Sequence, residues 1–566
     1  MLTARSQRAG ETAVGASELP AFEAVAATLA RLGVDTAFGV LGSGNFRLAE
    51  RLTSRHAVRY HWARHETSAV TMTDAWARVT GRLGICTVHQ GPGLTNAMTG
   101  LAEAAKARTP LLVVAGEVAT TAVAVNQRID QDRLARAAGA QAERVIRGRT
   151  AVRDTLRACR RALAERVPVV LSFPIDVQDE RCGAPPGDLA VGSPAPAEPS
   201  RRAIAAVADL VEHARRPLVL AGRGAVLAGA RRPLEELADR IGALLATSAP
   251  AHGLFAGSPW SLGISGGFAS PLAQELLPQA DVVLAFGASL NAWTTRRGEL
   301  IGAHARVVQF DSEPAALAAH RLDAAAVLGD AGAAARALEA EVERRAVQAG
   351  PRRWDLDADA LRDPGWRIID ESSQGTVDPR ALLIRLDAKL PAQRTLATDA
   401  GHFQGFPPMH LRVPDAQGFV MTQAFQSIGL GLATGIGAAV ARPDRPAVAV
   451  VGDGGLMMSL GELDSAAAQR LALLVVVLDD GAYGAEVHHF GPMGESTALV
   501  EFGPRDFAGV ARALGMPAQV VRSLDDLDAG PLDDWTREPA GPFVLDCKVD
   551  PRIRAEWLQE AFRGGA

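Results

Sequence analysis

Two acid-bearing, glycine-rich turns offer the most specific chemistry in the chain. "GDGG" at Gly452–Gly455 and "LDDG" at Leu478–Gly481 end two apolar runs, Ala447–Val451 and Leu471–Leu478, each long enough for a buried parallel strand. Ser459–Gln469, between them, has a helical pattern, so the unit reads strand–helix–strand. A right-handed crossover brings the second strand back beside the first in the same direction. Both turns then stand at the carboxyl edge of one sheet, where open α/β folds hold their ligands. Asp453 and Asp480 become expected neighbours, and two carboxylates facing one point call for a cation between them. The glycines would let a phosphate or other anion approach the backbone. The plainer alternative is a pair of ordinary strand-to-helix turns with capping acids.

A second set of reactive groups lies near the amino terminus. "RHETSAVTMTDAWARVTG" puts Glu66 at the start of a helix that follows the short strand "VRYHW". A carboxylate there is either functional or simply a charge favoured by the helix dipole. Further on, "CTVHQGPGLTNAMTG" is a strand ending in a Gly-Pro-Gly turn that opens another helix, presenting His89 and Gln90 at a sheet edge. A histidine at such an exit is as readily structural as catalytic.

The elements that must position these groups follow from composition. The chain has 566 residues, 48% hydrophobic and 22% charged, enough for several domains with large cores. A net charge of −5 gives no electrostatic footprint for nucleic acid, and no apolar run is long enough to span a bilayer. Four scattered cysteines show neither a CxxC spacing nor a disulfide framework, which fits a reducing cytoplasm. "MLTARSQRAGETAVGA" lacks an apolar signal core and reads as a disordered leader. Pro, Gly and Ala accumulate in Arg181–Ser200, and a second break runs through Gln348–Trp366. The three blocks so defined alternate short strands with helices, as in "PLLVVAG", "PLVLAG" with "DVVLAFGA", and "AVAVVGDG". Three α/β domains, each a doubly wound parallel sheet, are therefore expected. "LAGRGAVLAG" at Leu220–Gly229 departs from a dinucleotide fingerprint, and "VVQFDSE" at Val307–Glu313 is another strand ending in an acid. The middle block is either a purely structural domain or the seat of a flavin or nucleotide-containing substrate.

"GDG" at Gly452–Gly454 with the later Asp479-Asp480, together with "RHE", "GPGLTNA" and the three-block order, resembles the thiamine-diphosphate-dependent superfamily of acetolactate synthase, benzoylformate decarboxylase and pyruvate decarboxylase. The resemblance covers nearly the whole chain beyond the leader. It implies a disordered leader at 1–17, a pyrimidine-binding domain at 18–182, a linker at 183–200, a central domain at 201–345, a linker at 346–375, a diphosphate-binding domain at 376–556 and a tail at 557–566. It also implies a homodimer or homotetramer with active sites between subunits, acting on a small-molecule 2-oxo acid or 2-hydroxy carbonyl compound.

For the site, the resemblance implies thiamine diphosphate with Mg2+, the metal held by Asp453, Asp480 and the main-chain carbonyl of Ala482, with Gly454 and Gly455 offering amides to the diphosphate. Gly401, His402, Gln426, Ile428, Gly452, Tyr483 and Gly484 complete the implied cofactor contacts, Ile428 as the apolar wedge that bends the cofactor. Glu66 would hydrogen-bond the aminopyrimidine ring, His89 would move protons near the substrate, and Gln127 of "NQRIDQD" would lie over the cofactor. Gln90 and Glu486 are candidate substrate contacts, while His488 and His489 of "AYGAEVHHF" face either substrate or solvent. Two departures stand out: Asp479-Asp480 where the family has Asn-Asn, and His402-Phe403 where acetolactate synthases have Gln-His. Asp480 is expected to remain a ligand, and Asp479 to shape its turn through hydrogen bonds. The implied reaction is decarboxylation or carboligation of a 2-oxo acid. A lyase of 2-hydroxy ketones or 2-hydroxyacyl-CoA is the runner-up, with phosphates meeting Arg296 and Arg297. A cofactor-less partner-binding relative is the non-enzyme reading. FAD is not expected.

Overall fold

The computed structural model describes residues 18–192, 195–345, 353–528 and 530–558; the expected leader, 1–17, lies outside them. The runs of Val, Leu and Ala identified above fold as strands buried on both faces, and they assemble into three six-stranded sheets in which every neighbouring pair is parallel. Burying each such Val or Leu side chain contributes roughly 1.5–3 kcal/mol, so the sheet interiors are fixed by apolar packing while polar groups collect in the loops at the strand ends.

By contacts the chain divides into Met1–Glu66 with Leu83–Ser193, and Thr67–Arg82 with Pro194–Ala566. The first unit holds the sheet Arg59–Trp62, Thr36–Gly39, Gly84–Val88, Leu111–Glu117, Pro168–Pro174, Gln141–Arg144, written in spatial order. Glu18–Pro20 pairs antiparallel with Arg181–Gly183, closing the unit on itself. The second unit holds two sheets. One runs Ser261–Ile264, Leu244–Thr247, Pro217–Ala221, Val282–Phe286, Arg306–Asp311, Ala325–Leu328; the other runs Phe419–Met421, Thr395–Thr398, Ala447–Gly452, Leu473–Asp479, Phe543–Lys548, Ala518–Val521. Numbered along the chain, the first and last sheets share the order 2-1-3-4-6-5, and the middle sheet has 3-2-1-4-5-6. In each, the direction of winding reverses next to the sheet's own first strand, and that switch point is where doubly wound folds open a crevice at the carboxyl ends.

Three local expectations change. The helix expected at Ser459–Gln469 is present but shorter, Glu462–Ala468, and a further helix, Asp453–Met458, starts on the acid of the first turn itself. Within the expected linker 346–375, Trp354 and Leu361 are buried in the core of the middle sheet, Trp354 donating from Nε1 to the Pro217 carbonyl at 2.8 Å. The tail expected from 557 begins too early: Trp557 and Leu558 are buried, and Trp557 meets Phe268 edge to face. Large aromatic area outweighs position near a terminus.

Candidate functional site

The switch point of the last sheet lies between Thr395–Thr398 and Ala447–Gly452, and the loops leaving these strands begin with Asp399 and Asp453. Leu473–Asp479, the next strand, delivers Asp480. Asp453 Oδ1 accepts from the Gly454 amide at 2.8 Å, and its Oδ2 accepts from the Gly481 amide at 3.0 Å, which ties the two acid-bearing turns together. Asp480 Oδ1 accepts from the Ala482 amide at 3.2 Å, and its Oδ2 stands 3.7 Å from His402 Nε2. Both turns thus bring an acid side chain with little solvent exposure to the same sheet edge. Burial, then mutual repulsion with Asp480 and Asp479, holds the Asp453 carboxyl well above the usual carboxylate range; burial raises Asp480 as well.

That arrangement fits the implied metal and cofactor. Two facing carboxyl groups that resist ionisation together are stabilised when a divalent cation sits between them. Among the described residues no cluster of three or more His, Cys, Asp or Glu side chains could hold a metal. A magnesium ion bound by two carboxylates and a carbonyl, with its other positions given to phosphate oxygens and water, needs no such cluster.

The glycines around Asp453 have a second use. Added Cβ atoms would stand 2.7 Å from the Phe403 ring at Gly452, 2.5 Å from the Tyr483 ring at Gly454 and 2.6 Å from Asp399 Oδ2 at Gly455. At Gly484 one would stand 2.4 Å from Asp480 Oδ2 and 2.5 Å from His402 Nδ1. The turn is therefore packed by protein on its Cβ side. The Gly454 amide is spent on Asp453, which leaves Gly455 as the amide of the pair that could meet a diphosphate. Phe403 is buried against Gly401 (φ +143°) and Gly452, so this departure from acetolactate synthases fills core. His402 lies 5.0 Å from the buried His488 ring, and burial pushes its pKa down to about 3, so it is a neutral imidazole. Gln426 is exposed at φ +65°; Ile428 is half-buried and precedes Gly429. Glu486 and His489 are half-buried on the helix Gly484–Phe490.

Three contributors were not foreseen. Asp399, fully buried and raised to about 6 by that burial, accepts from the Ala400 amide at 2.8 Å and the Gly429 amide at 3.0 Å, clamping the segment that follows Ile428. Lys548 Nζ donates to Asp479 Oδ2 at 2.6 Å and to Asp546 Oδ1 at 2.7 Å. Asp479 also accepts from the Gly481 and Arg505 amides, as expected of a turn-shaping group, but its main partner is this lysine. The third is Asn96, whose Nδ2 donates to Glu66 Oε2 at 3.0 Å. Its place in "GPGLTNA" was visible, its partner was not.

The first sheet has its own switch point, between Thr36–Gly39 and Gly84–Val88. His89 follows the second of these strands, and the turn Gly42–Gly44 follows the first. The ring of His89 lies on that turn: the Gly44 amide donates to Nδ1 at 3.1 Å, and a Cβ at Gly42 would be 2.7 Å from Cγ. Gln127 Nε2 is 3.1 Å from His89 Nε2, and Gln90 Nε2 is 3.0 Å from Gln127 Oε1. Glu66 opens the helix Glu66–Thr80, is buried, and faces the same region, since a Cβ at Gly93 would be 3.1 Å from His89 Cβ and 3.5 Å from Glu66 Oε1. Glu66, His89, Gln90 and Gln127 are thus one cluster.

In the middle sheet the two glycine-rich turns fill each other. A Cβ at Gly222 would be 2.1 Å from the Gly287 carbonyl oxygen, and the Gly224 amide donates to that oxygen at 3.0 Å. Arg296 is engaged by Gln274 at 2.7 Å and by Glu299 at 3.7 Å.

Comparison with known proteins matches this architecture block for block. The chain matches the thiamine pyrophosphate enzyme N-terminal TPP binding domain at residues 20–135, the central domain at 204–338 and the C-terminal TPP binding domain at 399–547. It is 30% identical to a sulfoacetaldehyde acetyltransferase of Rhodobacter capsulatus over 96% of each chain. It is 29% identical to an acetolactate synthase large subunit of Parasynechococcus marenigrum, over 86% of this chain and 81% of that one. An X-ray structure from Mycobacterium smegmatis, described as a thiamin diphosphate-dependent enzyme, superposes with a TM-score of 0.74 at 21% identity, covering 94% of this chain and all of that one. With three switch-point sheets in the family's order and the family's models on each, the chain belongs to the thiamine-pyrophosphate-dependent enzymes and is an enzyme of carbon–carbon bond chemistry.

Proposed function

We propose that the chain is a thiamine-diphosphate- and magnesium-dependent decarboxylase or carboligase of 2-oxo acids, similar to acetolactate synthase. The observation that carries this reading is the pair of buried acid side chains Asp453 and Asp480 at the switch point of the last sheet, their turns tied by the Gly481 amide donating to Asp453. Asp453, Asp480 and the Ala482 carbonyl would hold magnesium. Gly401, His402, Gln426, Gly452, Gly455, Tyr483 and Gly484 would surround the diphosphate half of the cofactor, with Ile428 against its rings. When bound, thiamine diphosphate supplies a nucleophilic carbon that adds to a substrate carbonyl and accepts the electrons released from the broken bond. Glu66, steadied by Asn96, would hold a proton on the pyrimidine ring, and His89, Gln90, Gln127 and Glu486 would face the substrate.

The proposal includes a homodimer or homotetramer in a cytoplasmic setting. Met457, Met458, Tyr483 and Leu499 are exposed beside the acid-bearing turns, an apolar surface suited to cover by a second copy. The four free cysteines are all buried, which agrees with a reducing compartment. No helix among the described residues is long and apolar enough to cross a membrane.

An acyl-transfer reading is favoured by the relatives named sulfoacetaldehyde acetyltransferase. One experiment separates the outcomes. The purified chain is titrated calorimetrically with thiamine diphosphate and magnesium, then incubated with small 2-oxo acids, with and without a second carbonyl compound or inorganic phosphate. Cofactor binding with release of carbon dioxide supports the proposal; cofactor binding without it favours the transferase or lyase readings. No binding would sink all of them.

A further inference from the structure

The hydrogen bonds around His89 define which of its nitrogens carries the proton. Nδ1 faces the Gly44 amide at 3.1 Å, and a backbone N–H can only donate. Nδ1 is therefore the lone-pair nitrogen, and a neutral imidazole then carries its hydrogen on Nε2. An Nε2–H needs an acceptor, so the Gln127 side chain 3.1 Å away must turn its carbonyl oxygen toward the ring. A carboxamide rotated by half a turn fills the same space. The Gln127 amide nitrogen then faces Gln90, which must in turn present its oxygen to that nitrogen. Gln90 Oε1, which has no donor among the described residues when the amides have the opposite sense, then accepts from Gln127, and the Gln90 amide nitrogen takes the place that oxygen held.

We infer that His89 is a fixed neutral hydrogen-bond donor, not a base: its Nε2–H rests on Gln127 in the free protein and is offered to a carbonyl or carboxylate oxygen of the substrate when that oxygen displaces the glutamine. The glycines of "LGSGN" give the ring its seat, because Cβ atoms at Gly42 and Gly44 would stand 2.8 Å and 3.2 Å from Nδ1. Acting as a base would put a second proton on the ring, and an Nδ1–H would then face the Gly44 N–H, two donors at hydrogen-bond distance. Burial also holds the His89 pKa below the ordinary histidine value, with the Glu66 carboxylate acting in the opposite direction. The substrate class recognised by such a donor is one with an oxygen beside the reacting carbon, as in a 2-oxo acid, and to that extent the role rests on the proposed function.

The tautomer itself does not, and it can be read on the full-length protein with nothing bound. Histidine is labelled with 15N, and long-range proton–nitrogen correlations are recorded from pH 8 to pH 5.5. The His89 resonances are identified by their loss in His89→Gln and, independently, by their shift in Gln127→Leu. The expected result is a protonated Nε2, a bare Nδ1 and no movement toward imidazolium across that range. A protonated Nδ1, or a titration midpoint near the ordinary histidine value of about 6.5, overturns the assignment. Turnover with whichever 2-oxo acid the incubations above identify supplies the second arm. A donor is replaced by Gln better than by Glu, so His89→Gln should keep turnover within about 10-fold and His89→Glu should lose about 100-fold or more. The reverse order would restore the base. Should no 2-oxo acid turn over while the tautomer stands, the substrate proposal alone has failed.

Discussion

Lys548 and Asp479 form a buried ion pair, Nζ to Oδ2 at 2.6 Å, across two adjacent strands of the last sheet. The pair explains an acid where the family's motif has an amide. Asp479 answers a lysine 69 residues further on, and a second carboxylate, Asp546, shares the charge. Breaking a buried pair from one side costs about 3–5 kcal/mol, because the remaining charge is left without its partner. Lys548→Met should thus lower the thermal midpoint sharply, and Asp479→Asn, with Asp546 still in place, by about half as much. The double variant Lys548→Met/Asp479→Asn should be more stable than Lys548→Met alone. Melting curves of the three variants check this, and strictly additive losses would deny the coupling.

Asp480 should behave quite differently from its neighbour. Asp480→Asn keeps an oxygen for the metal and removes one of the two mutually repelling acids, so the cofactor-free protein should be more stable and the magnesium requirement preserved. Asp480→Ala and Asp453→Ala should each weaken thiamine diphosphate binding at moderate magnesium by at least about 10-fold, since an anionic ligand is lost beside the diphosphate. Calorimetric titration of the cofactor at fixed magnesium gives the answer. Unchanged affinity in Asp453→Ala would mean that the turn binds no metal.

Gly484→Ala tests the same centre from the side. The added methyl would need the space held by Asp480 Oδ2 and His402 Nδ1, at 2.4 Å and 2.5 Å. Cofactor affinity should fall at least as far as in Asp480→Ala, with the far-ultraviolet circular dichroism unchanged.

Glu66→Gln should keep the fold, because the amide still meets Asn96, but lose turnover by about 100-fold or more. Exchange of the C2 proton of bound thiamine diphosphate, followed by NMR, is the direct measurement. Wild-type exchange in the variant would remove Glu66 from the site.

Stability should decline on the acid side because of His252. Its ring is half-buried edge-on to Phe419, its Nε2 is shielded from solvent with no hydrogen-bond partner among the described residues, and desolvation pushes its pKa down to about 4. Above pH 6.5 both folded and unfolded states carry it neutral and nothing is lost. As pH falls from there toward 4 the unfolded chain takes up a proton that the folded chain refuses, costing up to about 3 kcal/mol. Replacing the ring with a neutral one of similar size, His252→Phe, should flatten the fall in urea midpoint between pH 6.5 and pH 4.5.

The sequence made visible those parts of the site that depend on neighbours in the chain. Asp453 and Asp480 could be brought together because strand–helix–strand units have one hand, His89 and Gln90 because glycine turns mark strand exits, and Glu66 through its place at a helix start and the family resemblance. What stayed hidden was pairing across long loops. Neither Lys548 with Asp479 nor Asn96 with Glu66 leaves a spacing pattern, since the register of nonadjacent strands and loops decides both. Asp399 was hidden for the same reason, as its partner amide at Gly429 lies beyond an intervening strand. The glycines of the acid-bearing turn were read as room for phosphate. Their Cβ positions are instead taken by Phe403, Tyr483 and Asp399, a distinction that composition alone does not contain.

The first and last sheets share one strand order, and in both the loop after the third strand carries the reactive side chain, His89 in one and Asp453 in the other. The two sheets therefore present the same loop at the same place in the winding, with the middle domain between them in the chain. On the proposed function the first of these loops would read an organic oxygen and the second would hold a cation. Substrate range and metal use would then sit on separate loops, and a library confined to Gln90 and Gln127 should change what the enzyme accepts while leaving the affinity for thiamine diphosphate and magnesium intact.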